Sequence, residues 1–168
     1  MSSARLLDVL DRHECVRLLG TVPFGRVVHT DRALPACTPV NFTLFGSSVV
    51  FRTTPHSRLA AATNDMVVAF QADDIDQTRR AGWSVLVTGL ASAVRDVGTL
   101  VRLERLGLAS WAGNDPSHWV RIALTEITGR RLVSGEQDRQ PPHHSGRTDR
   151  PSSSTTGQDT SPKSKEPA

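Results

Sequence analysis

Alternating apolar and polar positions mark strands along most of the chain up to Leu132. The clearest runs from Trp83 to Val94. Trp83, Val85, Val87, Gly89, Ala91 and Ala93 share one face, and Ser84, Leu86, Thr88 and Leu90 the other. Gly89 and the alanines predict a close backbone approach or a bend. Gly25 to Thr30 (GRVVHT) reads as a first strand. Leu34 to Phe45 reads as a longer one, interrupted by Pro35 and Pro39. Neither proline can donate to a ladder, so the pattern predicts an edge, a bulge or a ligand-facing break. Gly46-Ser47-Ser48 predicts a hairpin turn, with Val49 to Thr53 returning. Met66 to Gln71 reads as a buried strand and the polar run from Ala72 to Gly82 as a loop. His118 to Thr128 reads as a last strand with Val120, Ile122 and Leu124 facing inward.

Three short helices punctuate the strands. Asp11 and Glu14 have the spacing of a capping box before Cys15, Val16 and Leu19, with Gly20 as the stop. A second helix spans Pro55 to Asn64, with Thr54 as its cap and Pro55 at its first position. Its run Ala60 to Ala62 suits close packing on a sheet. Asp96 caps a third, with Leu100, Leu103 and Leu106 on one face and Gly107 or Gly113 at its end. Hairpins dominate, and the helix between the third and fourth strands is too short for a regular crossover layer. The pattern predicts a small, mostly antiparallel barrel of about six strands with helices at its ends.

Composition divides the chain of 168 residues in two. From Ser134 onward there is no Val, Ile, Leu, Phe, Met or Trp, and five of the ten prolines lie there. Such a segment cannot offset its ordering entropy, so 134–168 is expected to be a disordered polar tail behind a folded domain of residues 1–133. The tail's charges cancel, and the net charge of +3 belongs to the folded part. That excess is too small and unclustered for a nucleic-acid footprint. Cys15 and Cys37 form neither a disulfide framework nor a metal spacing. Asp8, Asp11 and Glu14 interrupt any leader-like apolar run, and no stretch approaches the roughly 18 apolar residues of a membrane helix. The expectation is a cytoplasmic protein with no membrane and no nucleic-acid partner.

The stretch Val49-Val50-Phe51-Arg52-Thr53-Thr54-Pro55-His56-Ser57-Arg58-Leu59 carries the best candidate chemistry. Hydroxyls, free backbone N–H groups at a helix start and forked arginine donors suit a phosphate. The alternative is an ordinary capped helix with a solvated arginine. The segment from Thr38 to Phe42 is expected to pair with Val49 to Thr53, so a flat ring could lie along it with its phosphate on Thr53, Ser57 and Arg58. Asn41 is equally well read as a bulge or turn residue. Asp73, Asp74 and Asp76 read better as a solvated loop than as a divalent-ion site. His13, His29, His56 and His118 lack metal spacing. Cys37, near the proposed ring, reads as a small hydrophobe rather than a redox group. No side chain stands out as a catalytic acid or base.

Four motifs, GRVVHT at 25–30, PVNF at 39–42, VVFRTTPHSRL at 49–59 and GWSVLVTGLA at 82–91, together with HWVRI at 118–122 and TGRRL at 128–132, carry a family resemblance. Over roughly residues 10 to 133 the chain resembles the pyridoxamine 5′-phosphate oxidase-like, FMN-binding split barrel proteins. It is most similar to actinobacterial members related to nitroimidazole-resistance proteins. The resemblance implies a six-stranded antiparallel split β-barrel with short flanking helices, forming a homodimer with a flavin at each end of the interface. It implies FMN-phosphate contacts from Arg52, Thr53, Ser57 and Arg58, with Leu59 standing where oxidase members have lysine. It implies ring contacts from Thr38, Val40, Asn41 and Phe42, and contacts from Trp83 and Ser84, often across the dimer. The Arg- and His-rich C-terminal segment that holds pyridoxamine phosphate in the oxidases is replaced by the polar tail, where His143 and His144 lie.

The function expected is an FMN-dependent oxidoreductase acting on a small molecule over the flavin face, with Asn41, Trp83 and the Trp111 region as walls. Two alternatives stand beside it. One is a reductase using the deazaflavin F420, whose longer anionic tail would draw on Arg26, Arg79 and Arg80. The other is a non-enzymatic flavin or haem carrier or sensor, with His29 or His118 as a haem ligand.

Overall fold

The computed structural model describes residues 7–108 and 118–132. The tail, Trp111 and Gly113 lie outside the described residues. Among the described residues, eight strands and three helices follow in the order β1 (Leu7–Leu10), α1 (Arg12–Leu19), β2 (Phe24–Asp31), β3 (Leu34–Phe45), β4 (Ser48–Thr53), α2 (Arg58–Ala62), β5 (Met66–Asp76), β6 (Ala81–Ala93), α3 (Val97–Glu104), β7 (His118–Ala123) and β8 (Glu126–Leu132).

Six strands close an antiparallel barrel in the order β6-β5-β2-β3-β4-β7, with β7 returning to β6. β6 is long enough to serve two neighbours. Gly82 to Thr88 pairs with β8, and Ala91 to Ala93 pairs with β7. Gly89 stands between these stretches, where an added Cβ would lie 1.8 Å from the Ala123 carbonyl oxygen. Glycine is what lets the end of β7 reach β6 there. β1 joins β8 outside the barrel. No helix among the described residues is long and apolar enough to cross a membrane.

Several expectations change. The stretch from His118 is two strands, turning at Leu124 and Thr125, where Leu124 N–H donates to the Ser47 carbonyl. The polar run after Ala72 is not a loop. β5 continues to Asp76 and pairs Asp73 with Ser84, Asp74 with Trp83, and Ile75 with Gly82. A partner strand satisfies that backbone, and the polar side chains stay in solvent, which local composition does not report. The second helix is shorter than expected. Thr54, Pro55, His56 and Ser57 form a turn closed by Ser57 N–H to the Thr54 carbonyl at 3.2 Å, and Ser57, not Thr54, caps α2. Pro55 sits second in that turn and His56 third with φ 62°, the arrangement of a turn that needs positive φ at its third position.

The barrel interior is filled by Val27, Val40, Phe42, Phe51, Phe70, Trp83, Val85, Val87 and Ile122. Phe42 and Phe70 meet edge to face with centroids 4.7 Å apart. α1 covers one end through Cys15, Leu18 and Leu19, and α2 another through Leu59 and Ala60. A second cluster outside the barrel packs α3 against β4 and β7 through Leu103, Val50 and Trp119.

Candidate flavin-phosphate site beside an open strand edge

The site begins where β3 and β4 part. Their ladder joins only Phe42–Phe45 to Ser48–Phe51. The expected pairing of Thr38 to Asn41 with Arg52 and Thr53 does not form. β3 continues along β2 alone, from Asn41 opposite Phe24 to Leu34 opposite Asp31. Phe42 N–H donates to the Pro23 carbonyl. By the alternation of an antiparallel ladder, even-numbered residues of β3 then bond toward β2 and odd-numbered residues point to the open side. Pro35 and Pro39 are odd. Their missing donors fall on the edge without a partner strand, which explains why prolines are tolerated mid-strand.

Side chains alternate in the same way. Val40 and Phe42 face the core, whereas Cys37 and Pro39 are exposed and Asn41 is half-buried. Thr38 faces inward and meets the buried His29, its Oγ1 3.0 Å from Nε2. His29 Nδ1 is buried without a partner.

At the end of β4, Thr53 Oγ1 lies 3.0 Å from Ser57 Oγ. Ser57 Oγ also accepts the Ala60 N–H at 3.0 Å. Arg58 follows at once, its side chain 71% exposed and its guanidinium 3.5 Å from the Asp31 carboxylate. The hydroxyl of the pair that does not donate to the other, and the exposed Arg58 guanidinium on the next residue, are donors of the kind that suit a phosphate ester. The phosphate of a flavin therefore fits the residues present. Leu59 faces the core and supplies no cation.

Arg52 lies on the other face of β4. Its guanidinium stacks 5.4 Å over Trp119 and donates to the Leu108 carbonyl at 3.1 Å, while its Nε is buried without a partner. Trp119 Nε1 in turn donates to Glu104 at 2.6 Å. Arg52 thus ties β4 to Trp119 and to the segment that follows α3. Trp83 is buried in the barrel. Ser84 is on the outer face, where Gln71 Nε2 donates to it at 3.3 Å. A groove of about 580 Å³ opens beside Asn41, walled by Val22, Pro23, Leu44, Leu106 and Leu108. Sequence reasoning missed the wall at 106–108, because the segment after α3 meets β3 only through the tertiary fold. Among the described residues no group of three or more His, Cys, Asp or Glu is placed to hold a metal ion.

A six-stranded split barrel with a phosphate-type turn at its open edge defines a class of small flavin-binding folds. The chain belongs to the pyridoxamine 5′-phosphate oxidase family, whose model matches residues 11–131. It is 42% identical over 137 residues to Uncharacterized protein Rv0080 of Mycobacterium tuberculosis, covering 79% of this chain and 90% of that one. Among solved structures it is similar to the FAD binding protein of Mycobacterium smegmatis, at 38% identity and TM-score 0.65 over 74% of this chain and 97% of that one. A conserved protein of unknown function from Corynebacterium diphtheriae is 31% identical, with TM-score 0.65 over 76% and 99%.

Proposed function

We propose that the chain is a flavin-dependent oxidoreductase that binds the FMN moiety, the part shared by FMN and FAD, along the open edge of β3. The hydrogen-bonded Thr53–Ser57 hydroxyl pair beside Arg58 carries this reading. The FAD-binding relative at 38% identity supports it. Thr53, Ser57 and Arg58 would hold the phosphate. The edge of β3 from Cys37 to Asn41 would lie against the ring, and Val40 and Phe42 would stiffen that edge from the core. When bound, a flavin supplies two-electron transfer. The groove beside Asn41 would admit a small substrate and shield it from water with Leu106 and Leu108.

The protein would act as a homodimer. The outer faces of β2, β5 and β6 present Val28, Val67, Leu86 and Leu90, all exposed on adjoining strands. Several exposed apolar side chains on one face of adjoining strands suit an interaction surface. Ser84 lies on it and would reach the flavin of the partner. Two free cysteines, Cys37 exposed, fit a reducing cytoplasm.

Titration of the flavin-free protein with FMN, FAD, F420 and haem tests the reading. Flavin should bind with absorbance near that of known flavoproteins, and Arg58→Ala should weaken it about tenfold, the loss of one charge-assisted contact. Failure to bind any flavin in excess would overturn it. F420 binding alone would point to the deazaflavin alternative, and a Soret band lost on His29 or His118 substitution to a haem carrier.

A further inference from the structure

We infer that the groove beside Asn41 takes an uncharged, largely apolar ring compound and turns anions away, phosphorylated ones included. The inference rests on the flavin reading above, in which this groove admits the substrate, and names the class of that substrate.

The groove lies where two hydrophobic clusters meet. Val22 and Leu44 pack on the barrel core, and Leu108 packs on the cluster that seats α3. All three also line the groove, whose volume of about 580 Å³ suits a small molecule. Leu106, 48% exposed, lines it as well. A ligand that covered Leu106 and Leu108 would remove apolar surface from water, the main gain on offer here.

Both walls are fixed before any ligand arrives. Thr21 N–H and Oγ1 each donate to the Leu18 carbonyl, at 2.9 and 2.7 Å, and the Pro23 carbonyl accepts the Phe42 N–H at 3.0 Å. On the other side Arg52 donates to the Leu108 carbonyl at 3.1 Å. Gly107, with φ 63°, takes the left-handed conformation that turns the chain after α3. A site already in place loses little ordering entropy on binding.

Charge decides what such a groove accepts. None of the described residues that line it is charged, and its polar side chains are Thr21, Asn41 and Thr43. α1 ends at Leu19 and α3 at Glu104, and residues that follow each helix line the groove. Helix C-termini carry fractional negative charge, so their sign opposes an anion. An anion would also leave water with no cation to pair with. A cation finds no carboxylate among those residues either. Thr21 Oγ1 has spent its proton on Leu18 and offers lone pairs, so an N–H or O–H on the ligand would suit it. The chain as a whole carries +3, so this selectivity is local and opposite to what net charge favours.

Two fluorescent probes of one skeleton test the inference: neutral N-phenyl-1-naphthylamine, and 8-anilino-1-naphthalenesulfonate, which adds a sulfonate. Titrated into the full chain, the neutral probe should bind saturably and about tenfold or more tightly than the sulfonate. Leu106→Glu should weaken both probes. Leu106→Lys should weaken the neutral probe and strengthen the sulfonate, bringing the two within about twofold. Saturating FMN should leave the neutral probe bound. No binding of the neutral probe, equal affinities for the two in the parent, or neutral-probe binding unchanged in both Leu106 variants would overturn the inference and leave the flavin reading standing. Displacement of the probe by FMN would overturn it too, by making the groove part of the flavin's own site. Failure of any flavin to bind would overturn the flavin reading, and the probes would still decide the selectivity of the groove.

Discussion

Thr53 and Ser57 share a hydrogen bond of 3.0 Å across the turn that joins β4 to α2, and the same Ser57 oxygen caps the helix. One atom therefore serves the fold and, in the proposed site, would also meet the phosphate. Substitutions can separate the two. Ser57→Ala should lower stability by about 1 kcal/mol through the lost cap and weaken flavin binding about tenfold. Ser57→Asp keeps a capping oxygen but sets a carboxylate against the phosphate. It should melt near the parent yet bind flavin about 100-fold more weakly. Equal flavin affinity in Ser57→Asp and the parent would place the phosphate elsewhere. Thermal melts with a fluorescence titration give both readings.

Arg52 and Arg58 should behave as opposites. Arg52 stacks on Trp119 and bonds the Leu108 carbonyl, so Arg52→Ala should cost about 1–2 kcal/mol of stability and change flavin affinity by less than about twofold. Arg58→Ala should do the reverse, since its exposed ion pair with Asp31 adds little to folding. Paired denaturation and binding curves check this. A large affinity loss in Arg52→Ala would mean that its guanidinium turns to the ligand.

The apolar outer face can be tested by charge. Leu86 and Leu90 are exposed on β6, flanking Thr88. Leu86→Lys with Leu90→Glu should leave the fold intact and shift the protein from dimer to monomer by light scattering. Flavin retention should fall with it. An unchanged dimer would assign the interface to another face.

Acid sensitivity should depend on Glu14. Arg17 hydrogen-bonds its carboxylate at 2.7 and 2.8 Å, and Arg131 bonds it as well. Chiefly through Arg17, then Arg131, its pKa falls from 4.5 to about 2. A carboxylate depressed on folding adds stability that is fully present above its unfolded pKa and lost as pH falls through the folded one. The loss should run from about pH 4.5 down to about pH 2. Melting temperature measured across that window should fall more steeply in the parent than in Glu14→Gln. Identical slopes would refute a role for the network that ties α1 to β8.

Much of this architecture is legible in residue order, because strands and caps are local. The β6 faces follow directly from side-chain alternation, since Trp83, Val85, Val87, Gly89 and Ala91 are all buried. Asp11 and Asp96 cap their helices through the N–H of Glu14 and of Thr99. The stretch from Thr53 to Arg58 reads as the entry to a helix by residue type, but its cap is Ser57 and the helix starts at Arg58.

What local pattern could not decide is which strand neighbours which, and for how long. β3 runs without β4 up to Asn41, and β2 leaves β5 after Val28, because each strand must twist and change partners to close a barrel with two ends capped by helices. The first of these separations creates the open edge. The direction of Arg52, the burial of Trp83 and the strand hidden in the polar run after Ala72 depend likewise on neighbours far along the chain. The sequence alone determined the strand faces and the caps of α1 and α3, Asp11 and Asp96. Only the tertiary structure decided where the barrel opens, because a gap between strands is a property of two segments and belongs to neither.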